Sequence, residues 1–324
     1  GACMNRFDML KSIFNFSNSK MVLLVLDGLG GLPMQPGRKT ALEAASVPHM
    51  DRLASESECG LHIPVAPGIT PGSGPAHLAL FGYDPVLYQA GRGVLAALGI
   101  NFDLQPGDVA ARGNFCTVDS NDVLTDRRAG RISTEKNREL CELLNQIEIP
   151  GIEVIVQTVK EHRFLIVFRG ENLSDDIKDT DPQMTGEKPY EPVPQSEDAD
   201  KTAQYMTSFI EKARVKLYEQ NPANMVLLRG FSKTSAWPGM QENYGLRAAA
   251  IAGYPMYRGV ARLIGMTALD CSDQLEDMLH LLNQKWNDFD YFYIHVKKTD
   301  SAGEDGDFEK KVQQIEAADF LIPR

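Results

Sequence analysis

Long hydrophobic runs are missing from this 324-residue chain. The longest, such as Met21–Leu26 (MVLLVL), falls far short of the roughly 20 apolar residues that span a bilayer, which excludes a transmembrane helix. No long apolar segment follows the first residues either, so the amino terminus does not read as a secretory signal. Positive charge is scarce: 33 Lys and Arg face 44 Asp and Glu, a net charge of −11. Nucleic-acid surfaces need concentrated Lys and Arg, so that class of partner is excluded. A small anionic substrate is not, because a few arginines converging in one cleft suffice for it. Cysteine is sparse and odd in number, with Cys3, Cys59, Cys116, Cys141 and Cys271 scattered at no metal-type spacing. That usage fits a reducing cytoplasm rather than a disulfide framework.

Several familiar motifs are absent as well. Gly28–Pro33 fails the dinucleotide fingerprint because Pro33 fills the third glycine position, and Gly31–Thr40 fails the phosphate loop by one extra residue and by Arg38 before the lysine. A hydrolase elbow is excluded around Ser73, where Pro71 and Pro75 occupy the glycine positions. A calcium loop starting at Asp300 fails because Ala302 stands at its third position.

What is present is the composition of a soluble globular protein, with 43% hydrophobic and 24% charged residues, in a length that predicts two domains. Met21–Leu26 reads as a buried, central parallel strand ending at Asp27-Gly28, where α/β sheets place their ligands. The stretch Ile69–Pro85 (ITPGSGPAHLALFGYDP) sets Ser73 between two glycines and two prolines ahead of a helical run. A serine there serves either as a plain helix cap or as a phosphate contact beside free backbone N–H groups. From about Asn101 the texture becomes hairpins and two helices, with an acidic, proline-containing loop over Glu171–Asp200 that offers little core. Parallel-sheet texture returns at Ala248–Ile251 and Tyr291–Val296 (YFYIHV), the latter feeding a loop with Asp300, Glu304 and Asp307. The expected architecture is α/β, a mainly parallel core at 18–98 and 245–324 interrupted by an α+β domain at 99–244.

Asp27 and Asp300, with Glu304 one turn on, offer hard oxygens from separate strand ends to Mg²⁺ or Mn²⁺. A metal touching Ser73 would make its hydroxyl a nucleophile without a histidine base.

Asp27-Gly28, the run Thr70–His77 (TPGSGPAH), Gly91-Arg92-Gly93, Asp108–Val118 (DVAARGNFCTV), Asp126–Ile132 (DRRAGRI), His162-Arg163 and Lys298–Asp307 together resemble one family. It is the archaeal-type cofactor-independent phosphoglycerate mutase, of the alkaline phosphatase superfamily, and the resemblance runs from about Met21 to the end. The resemblance implies a phosphatase-like metal domain with an inserted substrate-binding domain, and a reaction on 2- and 3-phosphoglycerate without added 2,3-bisphosphoglycerate. It places the phosphoryl-accepting serine on Ser73, and the metal ligands, for two Mn²⁺ or Mg²⁺ sites, on Asp27, Ser73, Asp300 and Glu304. Glu304 stands where many relatives have histidine. Arginines of the inserted domain should hold the substrate: Arg127, Arg128 and Arg131 first, then Arg112, His162, Arg163 and Arg229, with weaker signals at Asn114, His77 and Asp181. The family's downstream Asp-His-Ser-Thr-Pro segment and a further histidine do not occur before Arg324, so either a truncated form of the sequence or an incomplete metal cluster is expected. Two alternatives stand beside the mutase reading: a homoserine kinase-like or other small-molecule phosphotransferase of the superfamily, and an inactive truncated form.

Overall fold

A computed structural model of the chain describes residues 6–234 and 237–323, so Cys3 and Arg324 lie outside the described residues. Two compact units emerge: Gly1–Pro85 with Trp237–Arg324, and Val86–Ala236. The chain begins in the first unit with α1 (Arg6–Lys11), β1 (Met21–Leu26), α2 (Ala41–Ala44), α3 (Pro48–Ser55) and α4 (Ser73–Leu80). It continues in the second unit with α5 (Arg92–Gly99), β2 (Val109–Val118), β3 (Leu124–Asp126), α6 (Thr134–Leu144), β4 (Glu153–Lys160), β5 (Arg163–Arg169), α7 (Asp200–Leu217) and β6 (Met225–Lys233). It then returns to the first through α8 (Met240–Tyr244), β7 (Ala248–Ala252), α9 (Pro255–Leu263), β8 (Thr267–Leu269), α10 (Leu275–Lys285), β9 (Tyr291–Val296), α11 (Lys298–Glu304) and α12 (Phe308–Leu321).

The first unit is built on a parallel sheet in the order β1-β9-β7-β8. β7 and β9 occupy its middle, which explains their unbroken apolar sequences: AAAIA is buried throughout, and YFYIHV is buried from Phe292 onward. β1 differs from the sequence expectation. It is an edge strand pairing with β9, and Met21 and Val22 are exposed. Register still brings the two carboxyl ends together, because Leu26 lies opposite Val296. The segment after β9, expected as a loop, is helix α11, so Asp300 sits in a first helical turn. α9 and β8 had no counterpart in the sequence reading.

The second unit has an antiparallel sheet in which β2 is flanked by β5 and β6, with β4 beyond β5 and β3 pairing the far end of β2. Phe164, Phe168 and Phe209 anchor its core with Leu140 and Leu144 of α6. α5 belongs here, where the Val94 N–H donates to the Ser232 hydroxyl at 3.0 Å and Ala97 packs on Ala110. The two compact units divide at Pro85/Val86 and Ala236/Trp237. The acidic stretch between β5 and α7 is a loop, yet it is not coreless: Leu173 and Ile177 enter the core and Thr180 and Asp181 are buried. It is stitched to β6 along that strand's outer side. Thr180 and Leu228 exchange bonds (Thr180 N–H to Leu228 O, 2.9 Å; Leu228 N–H to Thr180 Oγ1, 2.8 Å), and the Gly230 and Lys233 N–H groups donate to Asp179 (2.6 Å) and Asp175 (2.9 Å).

Candidate active site

Ser73 is the first residue of α4, and Gly72, not Ser73, is its cap. The reading of Ser73 as a capping side chain is therefore replaced: its hydroxyl is exposed and unused by the helix. The N–H groups of Ser73 and Gly74 precede any intrahelical acceptor, and Pro75 has none to offer. His77, one turn on, donates its Nδ1–H to the Ser73 carbonyl at 2.8 Å, since a carbonyl can only accept. Burial pulls the His77 pKa down to about 4 against that bond, so the ring is neutral and its buried Nε2 carries a lone pair without a partner.

Asp27 follows β1 directly. Its Oδ2 accepts from the Tyr257 hydroxyl (2.7 Å) and from His295 Nε2 (3.1 Å), with Lys297 Nζ at 3.7 Å. Burial alone would raise this carboxyl, but the bonds from His295 and Tyr257 and the neighbouring positive charge hold it well below the usual carboxylate range. Burial and the Asp27 bond push the Tyr257 phenol up, so it stays a donor, and its hydroxyl also engages the Ser73 side chain. Tyr257 thus links the serine to the strand-end aspartate. Its ring stacks on His295 at 3.6 Å between centroids and touches His77 at 4.5 Å. Behind it the Thr299 hydroxyl donates to the Asp27 carbonyl, fixing α11 to the end of β1.

Asp300 approaches from α11. Gly28 makes room for it: φ is +66°, and a Cβ there would stand 2.6 Å from the Asp300 Cα. Asp27 and Asp300 converge on one ammonium, Lys297 Nζ, which is in contact with Asp300 Oδ2. Two hard carboxylates already sharing a cation fit a divalent ion in donor chemistry. Glu304 does not join them. It is exposed and lines a cleft of about 350 Å³ with Gly28, Asp300 and Lys311, and among the described residues no three His, Cys, Asp or Glu side chains gather as a metal cage.

The second unit sorts the arginines into two groups. Arg127 is bidentate to Asp181 (Nε 3.0 Å, Nη2 2.7 Å), whose side chain is fully buried, and Arg229 adds an ion pair at 3.2 Å. Burial opposes the charge of Asp181, but the Arg127 and Gln183 hydrogen bonds keep its pKa below the ordinary value. Arg112 pairs with no carboxylate among the described residues. Burial, then the charges of Arg163, Arg229 and Arg92, lower its pKa to about 10. Register explains the grouping: Arg112 and Asn114 share one face of β2, opposite Arg229 on β6 and Arg163 on β5. Asn114 Oδ1 and His162 Nδ1 are buried without hydrogen-bond partners, His162 Nδ1 lying 4.0 Å from the Glu161 carboxylate. His162 is pulled down to about 4 by burial first and Arg163 next, with Arg128 and Arg112 contributing. Arg128 and Arg131 are exposed around the turn after β3, and Arg131 is not drawn into the Arg112 group.

A family model described as 2,3-bisphosphoglycerate-independent phosphoglycerate mutase matches residues 54–224. A protein of Thermus thermophilus named "Probable 2,3-bisphosphoglycerate-independent phosphoglycerate mutase" is 49% identical over 99% of this chain and 80% of its own length. The chain belongs to the 2,3-bisphosphoglycerate-independent phosphoglycerate mutase family. An Aquifex aeolicus member of that name is 47% identical over 98% of this chain and 80% of its own. Among solved structures, a cofactor-independent phosphoglycerate mutase from Thermoplasma acidophilum superposes with a TM-score of 0.72 at 31% identity, covering 93% of this chain and 81% of that one. As the family's description states, a phosphoglycerate mutase of this kind does not depend on 2,3-bisphosphoglycerate. Sequence reasoning missed Tyr257, His295, Lys297 and Arg92 as site residues. For His295 and Lys297 a signal existed, since both sit at the end of the strand next to β1. For Arg92 it was the flanking glycines, and Gly230 gives the Arg92 side chain its space.

Proposed function

We propose that this chain interconverts 2- and 3-phosphoglycerate through a phosphoserine at Ser73. The observation that carries the reading is the exposed Ser73 hydroxyl at a helix start, tied through Tyr257 to the strand-end Asp27. The Ser73 oxygen forms a bond to phosphorus as the substrate's oxygen–phosphorus bond breaks, its carbon–oxygen bond staying intact, and the serine proton ends on the glycerate oxygen left behind. Return of the phosphoryl group to the other glycerate hydroxyl completes the isomerisation. Helix-start N–H groups of Ser73 and Gly74 favour the phosphoryl oxygens, and the Tyr257 contact orients the hydroxyl. Asp27, Asp300 and the Ser73 hydroxyl would hold Mg²⁺ or Mn²⁺, which supplies charge that lowers the hydroxyl pKa and polarises the phosphoryl group. In the second unit, Arg112 and Arg163, with Arg128 and His162 beside them, bind the anionic groups of the substrate, while Arg127 and Arg229 serve by holding Asp181. Free Cys59, Cys116, Cys141 and Cys271 support a cytoplasmic setting.

Ser73→Ala in the full-length enzyme should abolish turnover of 3-phosphoglycerate in an enolase-coupled assay without 2,3-bisphosphoglycerate, leaving the thermal melt in place. Acid-quenched wild type should yield a phosphorylated Ser73 peptide by mass spectrometry. More than trace turnover in the variant refutes the covalent route.

A further inference from the structure

We propose that Lys297 is a tethered cation that holds the position between Asp27 and Asp300 and is displaced when a divalent ion takes those oxygens. The proposal rests on the reading above that these two carboxylates hold the metal. Lys297 follows β9 as Asp27 follows β1, and the paired strand ends bring both residues to one edge. Asp300 lies one helical turn beyond Lys297, within reach of the same ammonium. Nζ touches Asp300 Oδ2 and lies 3.7 Å from Asp27 Oδ2, the oxygen that already accepts from Tyr257 and His295. The three side chains are about equally and only partly exposed, at 23–24%. At that depth two carboxylates facing each other would repel appreciably, and the ammonium is what allows them to stand together.

One positive charge leaves the trio net negative, whereas a divalent ion would neutralise the two carboxylates. Both cations cannot be held at once, because they would share the Asp300 and Asp27 oxygens and repel across the same few ångströms. Lysine suits such a post. Its ammonium has no fixed coordination geometry and rides on a four-carbon stem that can swing away, which a planar arginine fork could not do as freely. The rings of Tyr254 and Tyr257, each 6.0 Å from Nζ, give the charge an aromatic surround. Three effects follow for this site. Lys297 weakens metal binding, stabilises the pair of carboxylates without metal, and becomes more accessible once metal binds.

The test uses the full-length enzyme and Mn²⁺ alone. In calorimetric titration Lys297→Met should bind Mn²⁺ about ten-fold more tightly than wild type, the value of one displaced charge-assisted contact. Its melting temperature without metal should fall, and added Mn²⁺ should close the gap. Unchanged or weaker affinity overturns the proposal. A second measurement needs no variant: brief acetic anhydride labelling of wild type, read by peptide mass spectrometry, should modify Lys297 faster with Mn²⁺ present, and equal or slower labelling also overturns it. Asp300→Asn separates the two ideas. If it abolishes Mn²⁺ binding while Lys297→Met changes nothing, the tethered cation alone fails. If Asp300→Asn leaves Mn²⁺ binding intact, the metal lies elsewhere and the underlying reading fails with it.

Discussion

Replacing Arg127 with methionine should damage stability far more than catalysis. Asp181 has a side chain with no solvent exposure, and Arg127 supplies two of the bonds to its oxygens, at 3.0 and 2.7 Å. Arg229 at 3.2 Å and the Gln183 N–H at 2.8 Å would remain. Breaking a buried pair by removing one partner costs about 3–5 kcal/mol, and the surviving partners place this case near the lower end. At roughly 2–4 °C per kcal/mol for a unit of this size, the melting temperature should drop by about 10 °C. Arg127→Met combined with Asp181→Leu should recover much of that loss, because the uncompensated charge goes with its partner. Calorimetric scans of the wild type, both single variants and the double variant give the coupling directly, and the Michaelis constant for 3-phosphoglycerate gives the other half. Arg127→Met should leave that constant within a few-fold, whereas Arg112→Ala should raise it. An unchanged melt together with a large rise in the Michaelis constant would show Arg127 to be a substrate ligand and refute the ion-pair assignment.

Gly28→Ala should cost about 1–3 kcal/mol, from its left-handed backbone and the overlap with Asp300, and should lower turnover more than substrate affinity; normal kinetics would contradict the close approach of the two strand ends. Stability should fall as the pH drops from about 6.5 to about 4, because the unfolded chain takes up a proton that the folded form refuses at His162 while its pKa is held near 4 by burial and Arg163. His162→Gln should reduce that slope, with the part contributed by His77 persisting; an identical pH profile for the variant would mean that His162 titrates normally.

The candidate residues with a distinctive local setting were readable from the chain. Ser73 announced itself through its prolines and glycines, and Asp27 through the strand before it. Their company was not readable. Tyr257 reaches Asp27 across 230 positions and His295 across 268, and a chain read locally holds no record of such contacts. α9 escaped notice because Pro255 and Gly259 interrupt its pattern, although proline is at home in a first helical turn. The edge position of β1 was hidden for a related reason, since MVLLVL satisfies a central strand equally well and only its pairing tells them apart. The Arg127–Asp181 pairing was not readable either, because Asp181 lies 54 residues away in a loop that seemed to offer little core.

That loop has a consequence beyond its ion pairs. A strand with nothing beside it exposes a row of donors and acceptors to any other extended chain, and β6 is rich in residues that would welcome one. The bonds from Asp175, Asp179 and Thr180 occupy that row, and the loop's carboxylates surround it with negative charge. What reads as an acidic insertion with little core thus covers the outer side of β6, the row to which another extended chain would otherwise add.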